Sequence, residues 1–232
     1  MAMLSRHSVA SIFAAAAFVS DDFDECTLGT VWTHEPGRTG DPAPVFTGTQ
    51  MRLTVPAGVD HDIWEGGINA NRIVQPLAAG DFEAEVKFAS EMDSLYQTRG
   101  IIVESSVAGD ALRFEILHDG MTYYLFGASI VGGVGTYNTY LDIGVNNPTY
   151  MRVKRTGNTW THSYSFDGTN WEGDTFTLAF AGNRIGPYAG NSADTAGSEP
   201  EHTVIFDYFY NTAARGPGDS GANAYALTAT TV

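Results

Sequence analysis

From residue 82 to 88 the chain reads FEAEVKF, and the alternation is strict. Phe82, Ala84, Val86 and Phe88 fall on one side of an extended strand, and Glu83, Glu85 and Lys87 on the other. Segments of similar character follow: GIIVES, ALRFEILHD, MTYYLFGA, TYMRVKR, TWTHSYSFD, DTFTLAF and HTVIFDYFYN, separated by Gly, Asn or Asp. Tight turns are signalled at His118-Asp119-Gly120, Thr156-Gly157-Asn158 and Asp167-Gly168. Outside an Ala-rich run near the N-terminus, no long stretch carries a helical period. Short strands at this spacing predict an antiparallel β-sandwich or barrel.

Composition does not change within residues 20–212, which predicts one domain there. Residues 1–19 place an Arg before small and apolar residues, as a secretory signal does, and are too short to span a membrane. They are read as a signal-like segment or N-terminal extension, and the Gly-, Ala- and Thr-rich residues 213–232 as a linker or C-terminal extension. The expected location is extracellular or at the cell surface.

Charge narrows the partners. The net charge is −15, with 27 acidic residues against 12 basic ones, so nucleic acid and anionic membrane are poor partners. The single cysteine, Cys26, rules out an internal disulfide. No phosphate-cradling Gly loop, zinc-type cluster or G-x-S-x-G nucleophile motif is present.

Six segments in order carry a family resemblance: SDDFD, HDIWEGGINANRIVQPLAAGDFEAEVKF, YQTRGIIVES, YMRVKRTGNTWTHSYSFDGTNW, IGPYAGNS and IFDYFYNT. Together they resemble the concanavalin A-like jelly-roll domains of the DUF1349/LamG-like group, which are similar to the C-terminal β-sandwich of family 43 β-xylosidases. The resemblance covers about residues 20–212. It implies an all-β antiparallel sandwich with a carbohydrate site on its concave sheet. It also implies a structural Ca²⁺ between the start of the domain and its last strand, where Asp22 and Asp207 stand.

For the sugar site, the loop DHDIWEGG offers His61, Asp62 and Trp64. Trp64 has two readings, a sugar platform or a plug at one end of the sandwich. Trp160 and Trp171 read as core. Gln97, Arg99, Arg113 and His118 supply polar groups on neighbouring strands, whose other reading is a solvated face with local ion pairs. For catalysis, the E-x-D-x-x-E pattern that the resemblance associates with hydrolases is missing. Glu104 and Glu115 are the one carboxylate pair to test, and Tyr123 is the proton-transfer candidate of a lyase. The expected function is therefore a carbohydrate-binding module for a polysaccharide. A glycoside hydrolase or polysaccharide lyase is the first alternative, and a surface or virion adhesion module the second.

Overall fold

The computed structural model describes residues 17–214. Their strands are β1 (Thr33–Glu35), β2 (Val45–Phe46), β3 (Met51–Val55), β4 (Ile63–Trp64), β5 (Gly67–Ile68), β6 (Asn71–Pro76), β7 (Phe82–Phe88) and β8 (Gln97–Ser105). The second half adds β9 (Ala111–His118), β10 (Tyr123–Val131), β11 (Val134–Gly144), β12 (Tyr150–Thr156), β13 (Thr159–Ser165), β14 (Glu172–Thr177), β15 (Gly182–Asn191) and β16 (His202–Asn211). No helix occurs among the described residues. Two seven-stranded sheets are ordered β1-β6-β15-β8-β9-β10-β11 and β14-β13-β12-β7-β16-β3-β2, and β4 and β5 form a separate hairpin. Every pairing is antiparallel. This is the expected all-β antiparallel sandwich.

Alternation builds the core. Phe82, Ala84, Val86 and Phe88 of β7 are buried against Ile101 and Val103 of β8 and Leu112, Phe114 and Ile116 of β9. Fully buried Trp160 sits among them, edge-on to Phe82 and donating its indole N–H to the Leu178 carbonyl at 3.0 Å. The core also reaches further toward the N-terminus than expected. Phe18 is buried, its ring 5.9 Å from Phe82 and 5.4 Å from Phe209. Residues 17–19 thus belong to the sandwich, while the rest of the signal-like segment and of the C-terminal extension lies outside the described residues.

Trp171 departs from its expected core position. It lies on the outside of the second sheet, with the Arg152 guanidinium 3.8 Å from its ring. The Asp167-Gly168 turn before it forms as read. Gly168 has φ 73°, and the Asp167 carboxylate accepts the N–H groups of Thr169 and Asn170 at 2.8 Å each. The bonds from Asn170 and Thr169 hold that carboxyl well below the usual carboxylate range.

Candidate functional site

On the first sheet, the face turned away from the core carries Arg72, Glu104, Arg113, Glu115 and Tyr188, none of them more than 7% exposed. The β4–β5 hairpin is the reason. Ile63 and Ile68 pack onto Val74, Ile102, Ala111, Ile130 and Tyr188, forming a second apolar cluster on that face. The hairpin roofs part of the sheet, and a cleft lies beside it over Thr98, Leu117 and Phe126.

Arg113 holds the roof down. Its Nη1 donates to Asp62 Oδ1 at 2.6 Å and to the Ile63 carbonyl at 2.7 Å, while Nε and Nη2 bind the fully buried Glu115. Burial opposes the Arg113 charge, but Glu115 and Asp62 outweigh it and raise the pKa. The Tyr188 hydroxyl donates to Glu115, and burial with that contact keeps it protonated. Along the same face, Glu104 is gripped by Arg72 at 2.6 Å and by Arg184, whose Nη1 reaches Glu35 at 2.5 Å.

These contacts correct the expected catalytic set. Glu115 faces Gly100 across β8 and β9, and Glu104 lies four residues further along β8. At a strand rise of about 3.3 Å per residue their backbone positions are roughly 13 Å apart along the sheet. Each carboxylate is bound within the chain, Glu115 by Arg113 and Tyr188 and Glu104 by Arg72 and Arg184. Tyr123 points into the sandwich, where its hydroxyl donates to the Met92 carbonyl at 2.8 Å.

Four expected sugar ligands are also elsewhere. Gln97 and Arg99 share parity with Ile101 and Val103, so they face the interior. Arg99 is wholly buried, bonded to the carbonyls of Ser90 and Pro148 and to Asn147 Oδ1, and its guanidinium lies 4.3 Å from the Phe88 ring. Burial lowers its pKa to about 9. Gln97 ties the backbone of Asp93 and Ser94 to Glu201. His118 is buried beside Tyr123. His61 is buried too, pinned by Asp41 and Asn191.

Asp62, Trp64 and Arg113 do come together, at the edge of a cleft of about 250 Å³. Tyr96, Thr98, Leu117, Phe126, Tyr137, Ser192, Ala193 and Asp194 complete its walls, and none of these was expected from the sequence. A run of rings starts at its wall and continues past it. Trp64 stacks on Tyr137 at 5.0 Å, Tyr137 meets Phe126 edge-on at 5.4 Å, Phe126 meets Tyr140 at 6.0 Å, and Tyr140 stacks on Tyr124 at 5.0 Å. Tyr137 and Tyr140 are 68% and 64% exposed, so their rings are available to a ligand.

Residues three apart in a strand normally face opposite ways, yet Tyr137 and Tyr140 share a face. Tyr140 pairs with Phe126 and Tyr137 with Ala128, and the register shifts between Gly127 and Ala128. Asn138 is the extra residue of this bulge, which turns Tyr137 back to the cleft. Across the cleft, Tyr96 adopts φ 60° and donates its hydroxyl to Asp194 Oδ1 at 3.0 Å. That bond raises the Tyr96 pKa and keeps the phenol protonated.

Of the two residues expected to hold Ca²⁺, Asp22 accepts the Asp24 N–H at 3.4 Å, and Asp207 has a cation of the chain beside it. Asp207 binds the Lys87 ammonium at 2.8 Å and accepts from Gln50, so a cation from the chain already balances its charge. Among the described residues no three His, Cys, Asp or Glu side chains gather where a metal could be held. Asp21 ties the domain's first and last segments together. Its backbone pairs with Phe209, and its carboxylate accepts from Phe23 N and Trp32 Nε1.

No family model matches the chain, and no curated protein matches it. Solved structures match the sandwich: the GH43 BlXynB protein from Bacillus licheniformis is 18% identical, with a TM-score of 0.65 over 82% of this chain and 38% of that one. In fold, this chain is a sandwich that GH43 chains also carry. A xylan β-1,4-xylosidase from Bacillus halodurans C-125 matches at 16% identity and TM-score 0.59, over 89% of this chain and 40% of that one. The chain therefore spans about two fifths of the GH43 proteins it matches. The CBM2 module of the evolved Dit of Lactobacillus casei BL23 phage J-1 matches nearly end to end. It is 10% identical, with a TM-score of 0.57 over 84% of this chain and 94% of that module.

Proposed function

We propose that this protein is a glycan-binding module, acting outside the cell or at its surface, that receives a polysaccharide in the cleft beside Trp64. The row of rings from Trp64 through Tyr137 and Phe126 to Tyr140 and Tyr124 carries the reading. Sugar rings present flat C–H faces to aromatic side chains, and here two of the five rings are largely exposed beside an open cleft. Glu104 and Glu115 are committed to arginines, so the arrangement favours holding a glycan over breaking one. The GH43 likeness agrees with a glycan context.

Affinity electrophoresis against a panel of soluble polysaccharides tests this. At least one glycan should retard the protein, and Tyr137→Ala and Tyr140→Ala should each abolish most of that retardation. Binding that persists undiminished in the double variant would move the site elsewhere. Retardation by no glycan would sink the reading.

A further inference from the structure

Among the described residues lining the cleft, Arg113 is the only cation. An arginine in a sugar cleft invites the idea of a clamp on a uronate or sulfate, but this one has been used up within the chain. Nε and Nη2 are on Glu115, Nη1 is on Asp62 and the Ile63 carbonyl, and the guanidinium lies 4.8 Å from the Phe126 ring. Its side chain is 4% exposed, so little of it meets a ligand. The carboxylates stand further out. Asp62 keeps 26% of its side chain exposed, and Asp194 on the opposite wall is exposed, with the Tyr96 hydroxyl bonded to it.

Two carboxylates, Glu115 and Asp62, thus bind the one guanidinium, and Asp62 and the exposed Asp194 line the cleft. A carboxylate or sulfate on a sugar would meet like charge on the cleft walls with no counter-charge free to receive it. A chain that carries net charge −15 adds a repulsive field at longer range.

Resting on the glycan-binding reading, we propose that the cleft selects against acid-bearing sugars, with Asp62 and Asp194 as the residues that set this specificity. The ligand is a glycan whose units in the cleft carry no carboxylate or sulfate, held by ring stacking and hydroxyl hydrogen bonds.

The test compares matched pairs on the whole protein. Polygalacturonate, alginate and hyaluronan are each paired with their carboxyl-reduced forms, and a neutral glucan with its C6-oxidised form. Dissociation constants come from affinity electrophoresis and calorimetry. The uncharged member of a bound pair should bind at least tenfold more tightly, and its affinity should be insensitive to added salt. Asp194→Asn keeps an acceptor for Tyr96, and Asp62→Asn keeps one for Arg113, so both variants should fold. The double variant should reduce the preference severalfold, read as the ratio of the two dissociation constants within a pair. Equal or tighter binding of the acidic member overturns the inference and leaves the glycan reading standing, as does a preference unchanged in the double variant. Binding by no member of any pair overturns both.

Discussion

Trp64 lies against the bare backbone of Gly135: a Cβ at that position would sit 2.7 Å from the indole. The missing side chain is what lets the ring settle beside Tyr137. Gly135→Ala should therefore displace Trp64 and weaken glycan binding by about 1 kcal/mol, the scale of one aromatic contact, or roughly fivefold in Kd. The melting temperature should scarcely move, since the clash falls on a partly exposed ring. Calorimetry with thermal denaturation checks both. An unchanged Kd would mean that Trp64 only plugs the hairpin.

Glu115 and Glu104 should prove structural. Each is buried and held by arginine, and removing one partner strands a buried charge at a cost of about 3–5 kcal/mol. Glu115→Ala and Glu104→Ala should each lower the unfolding free energy from urea titration by that measure. Glu83→Ala, whose partners Arg152 and Lys154 are 3.8 and 3.9 Å away at the surface, should stay within about 0.5 kcal/mol of wild type.

Two histidines should make the fold sensitive to acid. Burial lowers the pKa of His162 and of His202 from 6.5 to about 3, with Arg99 adding to the shift at His202. Between those values the unfolded chain takes up protons that the native state refuses, so stability is full above pH 6.5 and falls as pH drops toward 3. Each group contributes a slope of about 1.4 kcal/mol per pH unit in that window. Urea titrations from neutral to mildly acidic pH should show the fall, and His162→Leu should reduce its slope by about one such increment.

Chelation should leave the melting temperature where it is, because Lys87 already balances Asp207. A drop in EDTA that is reversed by added Ca²⁺ would restore the ion to this end of the domain.

The sandwich was legible because half-buried strands write their faces in alternation, as FEAEVKF does, and because the turn at Asp167-Gly168 needs the residues it has. β15 was not legible as a strand. Its Gly186, Pro187 and Gly190 break the alternation, yet it runs between β6 and β8. A Cβ on Gly186 would lie 1.8 Å from the Ile73 carbonyl, so its glycine serves close packing.

The site was harder to read, for two physical reasons. Gln97 and Arg99 drew attention as polar residues, although parity with Ile101 and Val103 already sent them inward. Bulges then reset the alternation elsewhere. The one at Asn138 turns Tyr137 to the cleft, and the shift between Phe206 and Tyr208 lets Phe206 and Phe209 both face the core, leaving Asp207 off the register that alternation assigns. A bulge leaves no dependable mark in a single sequence. Asp62, Trp64 and Arg113 were recoverable because a tryptophan beside glycines is poorly explained by a turn alone.

The bridge between Asp21 and Phe209 brings the first and last segments side by side, and the Ser20 hydroxyl reaches the Ala214 carbonyl at 2.8 Å. The strand path thus enters and leaves at one point. A sandwich wired in this way can be spliced into a loop of another protein as a cassette, with both junctions a few residues apart and the host's own fold hardly parted. It also tolerates rewiring in principle: joining residues 20 and 214 and opening the chain at an exposed turn would leave every sheet pairing intact.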